Sequence, residues 1–211
     1  MTLDAALASG LDVLHLSALH PVEQKLLNYV ALLRKWNSVY NLTAIREPAK
    51  MLTHHVLDSL SVVPHLTGER IVDVGSGAGL PGIPIALALP RSRLTLVESS
   101  HKKSAFLKQA VIELQLENVE VQIARAEAWQ PSQRFDIVIS RAFSDLGEFV
   151  ALAGHLCAAA GVLAAMKGVY PYDELNQIPA GYRVAEVKPL RVPGLEAERH
   201  LVLIHPVQEA R

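Results

Sequence analysis

Cysteine is nearly missing from this chain: its 211 residues include one, Cys157. A single thiol excludes an internal disulfide framework, and its place in the alanine- and leucine-rich run over residues 152–165 reads as a buried, inert side chain rather than a nucleophile. Charge of either sign is also not in excess. With a formal net charge of −1, nothing global advertises nucleic acid, so any contact with RNA would have to come from a local basic patch. No apolar run approaches membrane-spanning length, and the first residues, with Asp4 among them, lack the basic start of a secretion signal. A soluble cytoplasmic protein is expected. Internal repeats, low-complexity tracts and long linkers are lacking too.

What the chain does have is apolar content. Hydrophobic residues make up 50% of it, enough for a sizeable core in one α/β domain with an appendage. The first twenty or so residues read as a short helix packed on the body and broken at Gly10. From Pro21, the apolar positions Val22, Leu26, Tyr29, Val30, Leu33, Trp36 and Tyr40 recur at three and four residues. This spacing predicts one amphipathic helix of roughly 15–20 residues. A second helical segment is expected over about 47–60, before Pro64 and Gly68 break the pattern. Residues 1–65 therefore read as a helical cap and residues 66–211 as one compact domain.

After the cap, strand and helix alternate. Strands are expected at 70–74, 93–97, 119–124, 135–140 and 162–167, with helices near 83–89, 101–116 and 146–159. Apolar strands separated by helices indicate a parallel sheet covered on both faces. Two further strands, at 182–189 and 200–206, have no helix-length segment between them and point to a terminal antiparallel pair. The fold class is thus α/β: a Rossmann-like, seven-stranded sheet of the kind usual for methyltransferases that use S-adenosylmethionine, preceded by the cap.

The chain is organised around the stretch from Ile71 to Pro84, where a short apolar run meets glycines at 75, 77, 79 and 82 and then an apolar segment. A strand, a tight turn and a helix start fit it, with room for a ligand to approach the backbone. A nucleotide-like cofactor belongs there, although the spacing of Gly77, Gly79 and Gly82 also satisfies the dinucleotide fingerprint. Asp73 lies just before the turn, either at the cofactor or as a satisfied core acid, and Leu80 lies within it. Glu98 closes the second strand about 20 residues on, where a carboxylate can accept from both ribose hydroxyls of either cofactor. Arg125, Ala126 and Glu127 follow the third strand, at the place an adenine would occupy. Ser140, Arg141 and Ala142 end the fourth, where an arginine suits a cofactor carboxylate or an RNA phosphate.

Taken together and in order, Trp36, Asn37, Tyr40, Asn41, Leu42 and Thr43, then His54, His55, Asp58, Ser59 and Leu60, then Asp73 to Pro84, then Ser140, Arg141 and Ala142, then Lys167 and Gly168 resemble the successive signatures of the RsmG (GidB) family. The resemblance runs from about residue 22 to about 205. Members are bacterial methyltransferases acting on N7 of a guanine in 16S ribosomal RNA. The resemblance implies an S-adenosylmethionine site at Gly75, Gly77, Leu80, Glu98, Ala126, Glu127 and Arg141, to which the reading of the turn adds Asp73 and Gly79. It implies 16S rRNA, in the small subunit or an assembly intermediate, as partner of a monomer.

The chemistry suits that reading. Guanine N7 has an in-plane lone pair and no proton, so its methylation needs alignment and no general base. Positioning is expected from Arg141 and Asn41, and no metal is expected, because His54 and Asp58 have no third ligand at suitable spacing. Asp58 reads as structural, while the role of His54 stays open. Pyrimidine carbon-5 methylation would need an active cysteine. Exocyclic-amine methylation typically uses an Asn/Asp-Pro-Pro-aromatic turn, where this chain has Ser140, Arg141, Ala142 and Phe143. Basic candidates for RNA are Arg34, Lys35, Lys102, Lys103, Lys108, Arg125, Arg141, Lys167, Arg191 and Arg199, of which Lys102, Arg125, Lys167 and Arg199 are the RNA-binding assignment. A metabolite methyltransferase, a non-catalytic cofactor- or RNA-binding assembly factor and, more remotely, an NAD-dependent dehydrogenase remain the alternatives.

Overall fold

The computed structural model describes residues 2–207. Helix α1 (Leu3–Val13) begins at Thr2, whose hydroxyl accepts the Ala5 N–H, and it runs through Gly10 rather than breaking there. The glycine has a packing reason: a Cβ at residue 10 would lie 2.7 Å from Leu57 Cδ1. A 3₁₀ turn at Ser17–Val22 contains Pro21, and the long amphipathic helix α2 (Glu23–Tyr40) follows. Asn41 closes α2 in the left-handed conformation, with φ at 50°.

The expected second helical segment exists but is not uniformly α. It consists of α3 (Pro48–Met51), a π-helical turn (Leu52–Leu57) and α4 (Asp58–Leu60). A π turn widens the winding to i→i+5 bonds and is common at functional sites. Here it carries both His54 and His55.

Seven strands form one sheet: β1 (Arg70–Val74), β2 (Arg93–Glu98), β3 (Val119–Ile123), β4 (Phe135–Ser140), β5 (Cys157–Lys167), β6 (Tyr182–Pro189) and β7 (His200–Pro206). Their order is β3-β2-β1-β4-β5-β7-β6. The first five run parallel, and β7 is antiparallel to both β5 and β6. Helices α5 (Gly82–Ala88), α6 (His101–Glu113) and α7 (Leu146–Ala153) connect β1 to β2, β2 to β3 and β4 to β5, while a short 3₁₀ turn lies between β3 and β4. The order reverses between β1 and β4, which makes the carboxyl edge of those strands the ligand-binding crevice of such a sheet.

One expectation fails on the last parallel strand. Residues 157–159, expected in the helix near 146–159, belong to β5 together with 160 and 161, and the β4–β5 register shifts between Phe135 opposite Cys157 and Ile137 opposite Val162. Small side chains permit this irregular stretch: a Cβ at Gly161 would meet the Asp136 carbonyl at 2.8 Å. Cys157 is nevertheless buried as expected, and burial pushes its thiol up to about 12.

Both faces of the sheet are packed. The larger core joins the sheet and α5 and α6 to the N-terminal helices through Leu7, Leu11, Leu26, Tyr29, Leu33, Met51 and Leu57, whereas the smaller lies under α7 around Phe149, Val150 and Leu156. Continuity of the larger core is what fixes residues 3–65 relative to the glycine turn.

Candidate active site

Backbone bonds build the glycine turn. Gly75 and Ser76 donate to the Val97 carbonyl, Gly79 and Leu80 donate to the Ser76 carbonyl, and Gly75, Gly77 and Gly79 all have positive φ. The glycines serve two purposes. A Cβ at Gly79 would collide with Ile83 Cδ1 at 2.4 Å, and one at Gly82 with Leu96 Cδ2 at 2.3 Å, so both are required for close packing below the turn. At Gly77 the nearest atom to such a Cβ is the Gly75 carbonyl at 3.8 Å, which leaves open space above the turn. At Gly79, expected at the cofactor, the position a Cβ would take lies against the core side chains Ile83 and Leu107.

Asp73 is also behind the turn. It has no exposed surface, its Oδ2 accepts the Gly82 N–H at 3.0 Å, and its Oδ1 has no hydrogen-bond partner. Burial pushes its carboxyl up to about 7 against the pull of the Gly82 amide. Of the two readings left open for this acid, the core acid that holds the turn is the one its position supports.

Glu98 occupies the place expected of it, at the carboxyl end of β2. Its Oε2 accepts the Gly77 N–H at 2.9 Å and its Oε1 accepts the Ser100 N–H at 2.8 Å. Each oxygen keeps a second lone pair, so the carboxylate joins the glycine turn to the start of α6 and can still accept hydroxyl donors from a ribose. Ala126 and Glu127 form a short 3₁₀ turn beyond β3, and Glu127 pairs with the exposed Arg125 at 3.5 Å.

A small cavity of ≈ 170 Å³ above the turn is lined by Gly75, Gly77, Leu80, Thr43, His55 and Arg141, among others. Beside it lies a cavity of ≈ 430 Å³ lined by Ile45, His54, His55, Asp58, Arg141, Phe143, Met166, Lys167, Gly168 and Arg199. His55 and Arg141 border both.

Arg141 is held in that wall from two directions. One of its nitrogens, Nη1, donates to the His54 carbonyl and to Asp58 Oδ2, each at 3.1 Å. The other Asp58 oxygen accepts from Arg199 Nε at 2.9 Å. A carboxylate buried to 1% exposure thus bridges the arginine just before β7 and the one just after β4, in keeping with the structural role expected of Asp58. Arg199, expected at RNA, has its Nε engaged by Asp58 and its Nη1 by the Glu198 carbonyl. Lys167 is similarly engaged, by Glu174 at 2.8 Å and by the Ser144 carbonyl. Lys102 and Arg125 are exposed.

Asn41 is an exposed helix cap and lines neither cavity. It is buried Asn37 that orders the loop, by accepting the Thr43 N–H at 2.8 Å and donating to the Ile45 carbonyl. His55, quoted only within a motif, is the second residue common to both cavities. Ile45 N–H donates to Thr43 Oγ1, whose own proton is free for His55 Nε2 at 2.8 Å, and His55 Nδ1 donates to the His54 carbonyl. Burial, then Arg141, lowers His55 to about 4, so it is a neutral imidazole at physiological pH. No local pattern distinguishes it from His54 in the sequence; only the π turn does.

Open space above Gly77, a carboxylate at the end of β2 and an arginine at the switch point fit S-adenosylmethionine, and this sheet order is that of the class I S-adenosylmethionine-dependent methyltransferases. Solved structures with the fold include an S-adenosylmethionine-dependent methyltransferase from Aquifex aeolicus (TM-score 0.58, 18% identity, 74% of this chain and 92% of that one). The mitomycin 7-O-methyltransferase MmcR is another (TM-score 0.58, 15% identity, 77% and 56%). More specifically, residues 22–202 match the family model for rRNA small subunit methyltransferase G, GidB, and the chain belongs to that family. Ribosomal RNA small subunit methyltransferase G of Nitrosospira multiformis is 58% identical over 94% of this chain and 95% of its own length; that of Laribacter hongkongensis is 56% identical over 96% and 98%.

Proposed function

We propose that this enzyme transfers a methyl group from S-adenosylmethionine to N7 of a guanine in 16S rRNA, working as a cytoplasmic monomer on the small ribosomal subunit or its assembly intermediate. The observation that carries the reading is the pair of cavities sharing His55 and Arg141: one opens over the glycine turn, and the other is wide enough for a base. Bound over Gly75 and Gly77, the cofactor supplies an electrophilic methyl group. Glu98 would accept from its ribose, Ala126 and Glu127 would border its adenine, and Arg141 would hold its carboxylate end. Residues 1–65 act as a cap that shapes the substrate side of residues 66–211.

The protein's own contribution is alignment. N7 presents a lone pair without a proton, so no side chain has to take one, and the neutral His55 imidazole has no such duty. Methylation leaves the base cationic. The Asp58 carboxylate between Arg141 and Arg199 offsets the positive wall against which that charge develops.

The test is single-turnover transfer of a radiolabelled methyl group to small subunits from a strain lacking the protein, with N7-methylguanine mapped by borohydride and aniline cleavage. One cleavage stop, lost in Arg141→Ala, is expected. Cofactor binding without label in rRNA would overturn the proposal, in favour of a metabolite substrate or a non-catalytic role.

A further inference from the structure

Beyond Lys167 and Gly168, which line the larger cavity, the chain leaves β5 in a loop that displays apolar side chains to solvent. Val169 is 72% exposed and Tyr172 74% exposed, two of the most exposed large hydrophobic side chains among the described residues. The loop is nonetheless tied down. The Gly168 carbonyl bonds His200 Nδ1 at 2.9 Å, Tyr172 N–H donates to the Tyr170 carbonyl, and Pro171 is buried with its carbonyl accepting from Glu174 and Leu175. Lys167 and Glu174 pair at 2.8 Å across the loop's two ends. Tyr170 is set edge-on to His200, ring centroids 5.4 Å apart, and Tyr172 lies 4.4 Å from Tyr170.

An ordered aromatic ring presented outward has already lost most of the freedom that binding would take from it. Its setting also selects the partner. The loop starts at the larger cavity, which Gly168 lines together with Lys167 and Arg199. An exposed ring held in place is how proteins bind unstacked single-stranded RNA, with the base stacked on the ring. Resting on the rRNA substrate read above, we infer that Tyr172, backed by Tyr170, is a stacking platform for a nucleobase adjacent to the guanine in the cavity. The platform holds the strand in its splayed form while the target base points at the methyl donor.

Four variants test this: Tyr172→Ala, Tyr172→Phe, Tyr172→Trp and Tyr172→Leu, each assayed for methyl transfer to small subunits, S-adenosylmethionine affinity and melting temperature. Loss of one base stack corresponds to about 5- to 150-fold. Tyr172→Ala and Tyr172→Leu are expected to lose kcat/KM by that range, chiefly through KM, whereas Phe and Trp retain it. Cofactor affinity and melting temperature should stay at parental values in all four. Retention by Tyr172→Leu would overturn stacking in favour of an apolar contact with a ribosomal protein, and retention by Tyr172→Ala would remove the platform altogether. Failure of the parent protein itself to label rRNA would instead strike the substrate reading and this inference with it.

Discussion

Tyr29, on the buried face of α2, donates its phenolic proton to the carbonyl of Ala78 at 2.6 Å. The bond crosses from the N-terminal helices to the apex of the glycine turn, and the ring is fully buried against Phe106, with centroids 6.5 Å apart. The carbonyl it satisfies lies inside the turn that shapes the cofactor cavity. Removing the hydroxyl leaves a buried acceptor without its partner, which costs about 1–3 kcal/mol. Tyr29→Phe is therefore expected to lower stability by that amount and to weaken S-adenosylmethionine binding several-fold. Urea denaturation and calorimetric titration read the two effects; loss of stability with unchanged affinity would mean that the turn keeps its shape without the bond.

The turn itself offers a sharper separation of packing from binding. Gly82→Ala puts a Cβ 2.7 Å from Asp73 Oδ2 as well as against Leu96, an overpacking defect worth about 1–3 kcal/mol. Gly77→Ala meets nothing closer than 3.8 Å and carries only the left-handed backbone penalty of about 1–2 kcal/mol at φ +57°. The two should melt at similarly reduced temperatures. Cofactor affinity should fall far more in Gly77→Ala, because its new methyl group enters the space above the turn. Equal affinities in the two variants would contradict the assignment of that space.

Much of this was legible beforehand because period and punctuation report local geometry. The alternation of strands and helices fixed seven strands and the antiparallel end, and the apolar spacing from Val22 to Tyr40 marked α2. Glu98 stood out because strand ends at the carboxyl edge are where ligands bind. The misses share one physical origin. Asp58, Arg141 and Arg199 meet across 83 and 141 residues of sequence, so a pairwise pattern along the chain carries no sign that the cations are engaged. Asn41 and Asn37 have the same amide, and backbone geometry alone makes one a cap and the other a loop anchor. At Gly79 the spacing was right, but the direction of a missing Cβ is three-dimensional information.

Stability should depend on pH through two opposed groups. His55 titrates near 4 in the folded chain and near 6.5 when unfolded, so the unfolded state binds the extra proton between those values. Its contribution, at most about 3 kcal/mol, is fully present above pH 6.5 and is lost as pH falls to 4. Asp73 acts in reverse. Folded, it holds its proton up to about 7, against 3.8 when unfolded, so its contribution is present at low pH and lost as pH rises through 7. Between about pH 4 and 6.5 the two slopes offset each other. Relative to the parent, Asp73→Asn should gain stability with rising pH and His55→Asn should lose it. Denaturation in urea at three values across the window checks this, and parallel curves for the two variants would refute the opposition.

Salt dependence distinguishes cations that face RNA from those engaged within the fold. Lys102 lies exposed in the first turn of α6, and the Arg125 side chain is 78% exposed with a single long contact to Glu127. Surface pairs of that kind hold a guanidinium weakly, so both cations are free to meet phosphate. Each replacement by alanine should reduce the slope of log affinity against log salt for small-subunit RNA by about 0.7–1, with the melting temperature unchanged. Lys167, at 11% exposure and bound to Glu174, should behave the other way. Its removal leaves a half-buried carboxylate unpaired and loosens the loop behind it, so Lys167→Ala should lower the melting temperature while the salt slope stays within error. A Lys167→Ala protein of parental stability with a reduced slope would show that the ammonium leaves Glu174 for a phosphate when RNA binds.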